Sequence, residues 1–408
     1  MSNRLLNVID IKLECALRKQ FILIMHSSFV LVFLSSLLIL NCKIESKNNE
    51  YNIEVPYEVR FEHSAFKINL DSESSFGPEC TLSFQEINSE PNLIFNNLAN
   101  QSIDIYPLKG NGLLKRIQLN DKIRSSIGNF VGSYVMDVNS ILVVDRFNLG
   151  NSKYLNLSGN IIEDFPSIKN STGGMNILQN SSNHFQIKDS LFFYSTWPMS
   201  TSNKSPNLRD YNYSHCVNLS TGEYIDFDLG YPANYIIDNM DTYAGITTYS
   251  TAAKNKMIYS FPQSDSIFII NTDSLNVIKK MINSSQKATP PYTEAENNVK
   301  NEKYATAILN AGMQYDPIKN IYYLFRLKEF NSNSNLSKYD ICVLKPIEII
   351  ILDENFNSIG SIDLPSASFD VFKTFVFNGS LYISQCNLWS EDLNEDELPF
   401  MSITIIMD

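Results

Sequence analysis

Apolar runs alternate with short polar turns along most of this chain, and one arrangement of them recurs five times in different letters. An apolar strand meets a turn built from Gly, Asn, Asp or Ser and then a second apolar strand: residues 102–117, 154–165, 215–227, 267–278 and 347–362 all read this way. Several strands alternate apolar and polar positions with period two, which places their side chains on opposite faces of a sheet. Hairpins recurring at roughly 50-residue spacing are what a blade-built β-propeller requires. Apolar strands beside the hairpins supply blade starts at 93–95, 140–146, 189–194, 255–260 and 320–326, and a sixth blade runs from 374–383 to the last strand, 401–406. The pattern predicts an all-β fold, a six-bladed β-propeller over 53–408, with seven blades as the alternative.

A ring of blades has to close. The stretch 52–61, with 66–70 after it, is the candidate to donate a strand to the C-terminal blade. Helical periodicity of useful length is nearly absent from this part of the chain; 293–309 is the exception and predicts one short helix. Insertions at 198–212, 284–303 and 331–337 lengthen loops between strands, and in propellers such loops gather at the two faces, where ligands bind.

The N-terminus follows a different pattern. Arg18 and Lys19 precede an apolar run from Phe21 to Leu40, which ends at Asn41 and Cys42 and passes into the polar stretch 43–50. Basic, apolar and cleavage regions in that order are an export signal, so 1–41 is set apart from the fold. Ile39-Leu-Asn-Cys42 resembles the lipobox of bacterial lipoproteins, with Asn41 where a small residue is usual. Lipid on Cys42 would tie the chain to a membrane through a polar tether over 42–52, at the cell envelope. An uncleaved signal anchor is the alternative, because about 20 apolar residues can span a bilayer.

Composition narrows the classes. Of 408 residues 44% are hydrophobic, 12% aromatic and only 19% charged, which is globular rather than disordered. A net charge of −12 argues against unspecific nucleic-acid binding, since that rests on Lys and Arg neutralising phosphates. Cys80, Cys216, Cys342 and Cys386 stand singly, without metal-type or redox pairing. The last three fall in apolar strands and read as small hydrophobes, although an oxidising compartment would permit disulfides. Asn-x-Ser/Thr triplets at Asn156, Asn170, Asn218 and Asn378 read as turn chemistry, because Asn bonds its own backbone and tolerates positive φ.

Two stretches carry a family likeness: Tyr315-Asp-Pro-Ile-Lys-Asn-Ile-Tyr-Tyr323, and Phe377-Asn-Gly-Ser-Leu-Tyr-Ile383 with Asn387 and Leu398-Pro-Phe400 after it. With the lipobox and the blade grammar, they resemble a family of Bacteroidota lipoproteins of the domain-of-unknown-function 4221 type. The resemblance implies an exported, propeller-like lipoprotein and supplies no activity. Family members often place Arg directly after the paired tyrosines; here Leu324 and Phe325 intervene before Arg326.

Catalytic signals are poor. No zinc-type His spacing, nucleophile elbow, P-loop or dinucleotide fingerprint is present, and no metal or cofactor is predicted. His215 and Cys216 are strand neighbours whose side chains point to opposite faces, which is wrong for a thiol and its base. A glycoside-cleaving pair needs two carboxylates about 5–10 Å apart. Asp145, with Arg146 beside it, and Asp316 are the candidates, against the plainer role of capping turns. Aromatic groups give the binding hints. Tyr322 and Tyr323 point to opposite faces of one strand. Trp197, with Arg209, Tyr211 and Tyr213, could form a stacking platform, and Trp389 marks an acidic loop. The leading reading is a binding or scaffold lipoprotein for a peptide, protein or glycan; the competing one is a hydrolase or lyase working in the propeller channel.

Overall fold

The computed structural model describes residues 51–407 apart from 75–76, 78–79, 111, 138, 169–175, 180–181, 199–207, 209–210, 228, 236–246, 292–299, 332–335, 388 and 390–392. Six antiparallel sheets follow one another around a ring. Blade one is Cys80–Ile87, Glu90–Asn97, Ser102–Pro107 and Lys115–Gln118; blade two is Phe130–Asp137, Ser140–Asp145, Lys153–Leu155 and Ile161–Asp164. Blade three splits its first strand into Ile177–Leu178 and Gln186–Lys188, both paired to Leu191–Thr196, and adds Ser214–Asn218 and Tyr224–Asp226. Blade four is Tyr249–Ala253, Lys256–Phe261, Ser264–Asn271 and Val277–Met281. Blade five is Leu309–Asp316, Ile321–Leu327, Ile347–Leu352 and Ser358–Leu364.

Blade six closes the ring with chain from both ends. Asp370–Phe377, Ser380–Ser384 and Glu397–Ile406 come from the C-terminal part, and Glu58–Asn69 pairs along Glu397–Ile406 as the outermost strand. The expected donation is therefore present, with one difference. Asn52–Glu54 joins blade five, pairing with 361–363, so Asn52 belongs to a strand rather than to the end of a tether.

Packing follows from this ring. Six apolar clusters occupy the six junctions between consecutive blades, including the one joining blade six to blade one through Phe375, Phe400, Leu82 and Phe95. Burial grades outward: Ile347–Leu352, inside its blade, is buried throughout, while Glu58–Asn69, at the edge, is exposed or part-buried except at Ile68. The recurring hairpins are the two outer strands of blades one to five. Strands read from the sequence as blade starts are in fact second strands, and each is preceded by an innermost strand.

Smaller expectations resolve as follows. The helix expected over 293–309 is confined to Lys300–Thr306 among the described residues, and Leu309 already starts a strand. The four cysteines among the described residues, Cys80, Cys216, Cys342 and Cys386, are free; Cys342 lies on a short helix, Lys338–Leu344, and Cys386 just beyond a strand. Asn156 accepts the backbone N–H groups of Ser158 and Asn160, and Asn218 those of Ser220 and Thr221, so both triplets are turn chemistry.

Candidate functional site

Strand polarity sorts the connections. On one face, strands reverse through short turns such as 88–89, 156–160, 219–223, 254–255 and 353–357, the longest being 108–114. Long connections leave only from strand ends on the other face, at Asp164, Thr196, Asp226, Met281, Leu327 and Ser384. The insertions expected at both faces thus start from one.

On that long-connection face Asp145 shapes a turn. It is buried; its Oδ1 accepts the N–H groups of Phe147 and Asn148, and its Oδ2 that of Asn129. The turn presents Arg146, whose Nε donates to Asn176 Oδ1 at 2.8 Å. Its guanidinium stands 5.5 Å from the Phe147 ring centre and 5.8 Å from that of Trp197. Backbone bonds fix the three segments: Ile177 N–H donates to Arg146 C=O and Trp197 N–H to Asn176 C=O. Burial pulls the Arg146 pKa down, although the group stays charged. Trp197 Nε1 is buried and has no hydrogen-bond partner among the described residues. Arg146 and Trp197, fifty-one positions apart in sequence, therefore form one cation–aromatic patch between blades two and three.

Tyr211 belongs to an adjoining relay. Its hydroxyl donates to Thr196 Oγ1, which bonds His215 Nε2 at 2.8 Å, and Tyr224 bonds the other ring nitrogen. Burial pushes the Tyr211 phenol up to about 12 and the His215 imidazole down to about 4. His215 is thus a neutral structural residue. Its neighbour Cys216 faces the core between blades three and four. Trp389 is 48% exposed on the same side of the ring, with Nε1 donating to Asp340 Oδ1. Arg209 lies outside the described residues.

The remaining candidates go elsewhere. Asp316 is fully buried at the tight-turn end of blade five, where its Oδ1 accepts the N–H groups of Ile318 and Lys319. Asp145 and Asp316 thus lie in different blades at opposite strand ends and do not form a carboxylate pair. Tyr323 is buried beside Asp316, and burial with that carboxylate's charge pushes its phenol upward. Arg326 is fully buried between blades four and five. It donates to Asp265 Oδ1 at 2.8 Å, Gln286 C=O at 2.7 Å, Ser284 Oγ at 3.2 Å and Asn310 Oδ1 at 3.1 Å.

Sequence reading missed the centre of the ring. The segment between the two halves of blade three's first strand reaches across it: Gln179 bonds Asn96 of blade one and Ser133 of blade two, and Ser182 bonds Ala311 C=O of blade five. Asn183 pairs with Ser250 of blade four. A Cβ on Gly132 would stand 1.7 Å from Gln179 Oε1, so glycine there makes room for the crossing segment. The signal available in sequence was polarity inside strands, at Asn96, Gly132 and Ser133.

A closed ring of six four-stranded blades, with an additional edge strand on blade five and a split first strand in blade three, is a six-bladed β-propeller. More particularly, the chain belongs to the family described as Domain of unknown function (DUF4221), whose family model matches residues 58–362. The crystal structure of a DUF4221 member from Bacteroides vulgatus is 21% identical with a TM-score of 0.71, covering 89% of this chain and 100% of that one, which shows the shared fold. A Bacteroides fragilis protein provisionally named as exported is 11% identical over 86% of this chain and 96% of its own, with a TM-score of 0.49. A luciferin-regenerating enzyme is 8% identical over 83% and 95%, with a TM-score of 0.41. A comparison with curated proteins finds no match.

Proposed function

We propose that this chain is a binding propeller of the cell envelope, held by lipid on Cys42, whose long-connection face takes a peptide, protein or glycan. One observation carries the reading: the long connections all start from one face, and there Arg146, Phe147, Asn176 and Trp197 make a patch with a charged donor and flat aromatic surfaces. Such surfaces stack on sugar rings or aromatic side chains while the guanidinium and amide select polar partners.

One experiment with the full chain addresses both halves. Expressed in a bacterial host that makes lipoproteins, the chain should fractionate with membranes and take up labelled palmitate, and Cys42→Ser should remove both properties. The purified protein screened on peptide and glycan arrays should retain a ligand that Trp197→Ala weakens roughly tenfold, about 1.4 kcal/mol. Membrane association unchanged by Cys42→Ser overturns the anchor. Array binding unchanged by Trp197→Ala overturns the site.

A further inference from the structure

A charge drawn into a fold needs a partner, and the arginines of this chain show how regularly one is supplied. Arg60 pairs with Glu58, Arg116 with Asp71, Glu73 and Asp104, Arg124 with Asp121, and Arg326 with Asp265. Arg146 is the exception among the described arginines. It is part-buried, and its one side-chain hydrogen bond, from Nε, goes to the neutral amide of Asn176. Burial alone acts on its pKa, whereas Asp104 raises that of Arg116, and the burial of Arg326 is countered by Asp265 and Glu348. Asp145, next along the chain, is not the missing counter-ion: the N–H groups of Asn129, Phe147 and Asn148 take up its carboxylate. In a chain of net charge −12, a part-buried guanidinium without a carboxylate is a costly arrangement that an incoming anion relieves.

The guanidinium is also held ready. Asn176 fixes its Nε side, and the Phe147 and Trp197 rings lie 5.5 and 5.8 Å from its centre. Nη1 and Nη2 make no hydrogen bond to a described residue, and neither is among the enclosed unpaired nitrogens, so both remain open to solvent. Two such donors on one planar group match the two oxygens of a carboxylate. The backbone around them is already used. Arg146 N–H donates to Asn129 C=O, Ile177 N–H to Arg146 C=O and Trp197 N–H to Asn176 C=O. A peptide therefore finds no strand edge to join here, and recognition falls to side chains. That favours a saccharide, because Phe147, 37% exposed, and the part-exposed Trp197 offer flat faces for the C–H surface of a sugar ring.

Taking this patch as the binding site proposed above, we infer that its ligand is an acidic saccharide: a uronate whose carboxylate is held by Arg146 Nη1 and Nη2 while the sugar ring lies against Phe147 and Trp197.

The test titrates the full chain, by isothermal calorimetry, with tetrasaccharides of galacturonate, mannuronate and hyaluronan, with their methyl esters as neutral twins, and with peptides ending in a free or an amidated carboxyl group. At least one acidic tetrasaccharide should bind at least tenfold more tightly than its ester. Arg146→Gln should bring acid and ester to equal affinity. Arg146→Lys, which keeps the charge without the fork, should retain part of the preference, and Trp197→Ala should weaken acid and ester alike. Melting temperatures identify any variant that fails to fold, and the difference between acid and ester in the parent chain is read without a variant. No binding of an acidic tetrasaccharide, equal binding of acid and ester, a preference for acid that survives in folded Arg146→Gln, or capture of free-carboxylate peptides in place of the uronates would each overturn the inference. The broader reading fails separately: a neutral glycan or peptide lost with Trp197→Ala keeps this face as the binding site while the acidic ligand falls, and indifference of every ligand to Trp197→Ala removes the face itself.

Discussion

Replacing Arg326 by Met tests how blades four and five are held together. Arg326 is 0% exposed and makes four hydrogen bonds, to Asp265, Gln286, Ser284 and Asn310. It also stands opposite Glu348 in the sheet register. Met is apolar and of comparable length, so the cavity left behind is small. The dominant loss is electrostatic. Removing one partner of a buried ion pair costs about 3–5 kcal/mol, because the other charge stays buried and uncompensated. Among the described residues, the Asp265 carboxylate would keep only its long bond from Ala288 N–H, at 3.3 Å. Burial already pushes the Glu348 carboxyl upward and Arg326 pulls it back, so the variant raises it further. Carboxyls whose folded pKa lies above the unfolded value support the fold at low pH and lose that support as pH rises through the folded pKa. The deficit of Arg326→Met should therefore be larger near about pH 8 than near about pH 5. Urea unfolding of parent and variant at both pH values, followed by intrinsic fluorescence and circular dichroism to check for a single transition, measures it. A loss below about 1 kcal/mol, or the same loss at both pH values, would refute the argument.

Two further outcomes follow from the fold. Deleting 401–408 removes much of the strand to which Glu58–Asn69 and Ser380–Ser384 both pair, so the truncated chain should aggregate through its open edges; a soluble monomer with the parent melting temperature would contradict the closure. His215 titrates near 4 in the fold against 6.5 unfolded, so the unfolded chain binds its proton first and stability falls as pH drops through that window, by up to about 3 kcal/mol. His215→Gln should flatten this slope in urea midpoints taken between about pH 7 and pH 5, and identical slopes for parent and variant would exclude the assignment.

What could be read from sequence was local. Turn chemistry at Asn156 and Asn218 depends on residues two to four positions away, so the outer hairpins announce themselves. Innermost strands are harder because they do not line an apolar core on every side. Phe130–Asp137 carries Gly132 and Ser133 to meet the amide of Gln179, and Tyr249–Ala253 carries Ser250 and Thr251, whose hydroxyls also serve the centre. Polar groups there break the period-two pattern that would mark a strand. Arg326 shows the same limit in another form. A charge within an apolar strand signals either a site or a buried pair, and its partner Asp265 stands 61 positions away. Arg146 and Trp197 meet only because blades two and three pack side by side.

The count of five hairpins for six blades has a physical cause in the way the ring closes. In blade six the outer pair is Glu397–Ile406 with Glu58–Asn69, whose members lie at opposite ends of the chain and share no turn. A repeat search along the sequence has to miss it. The same closure fixes where the chain enters the ring: Asn52 pairs with Asp363 at the long-connection end of blade five.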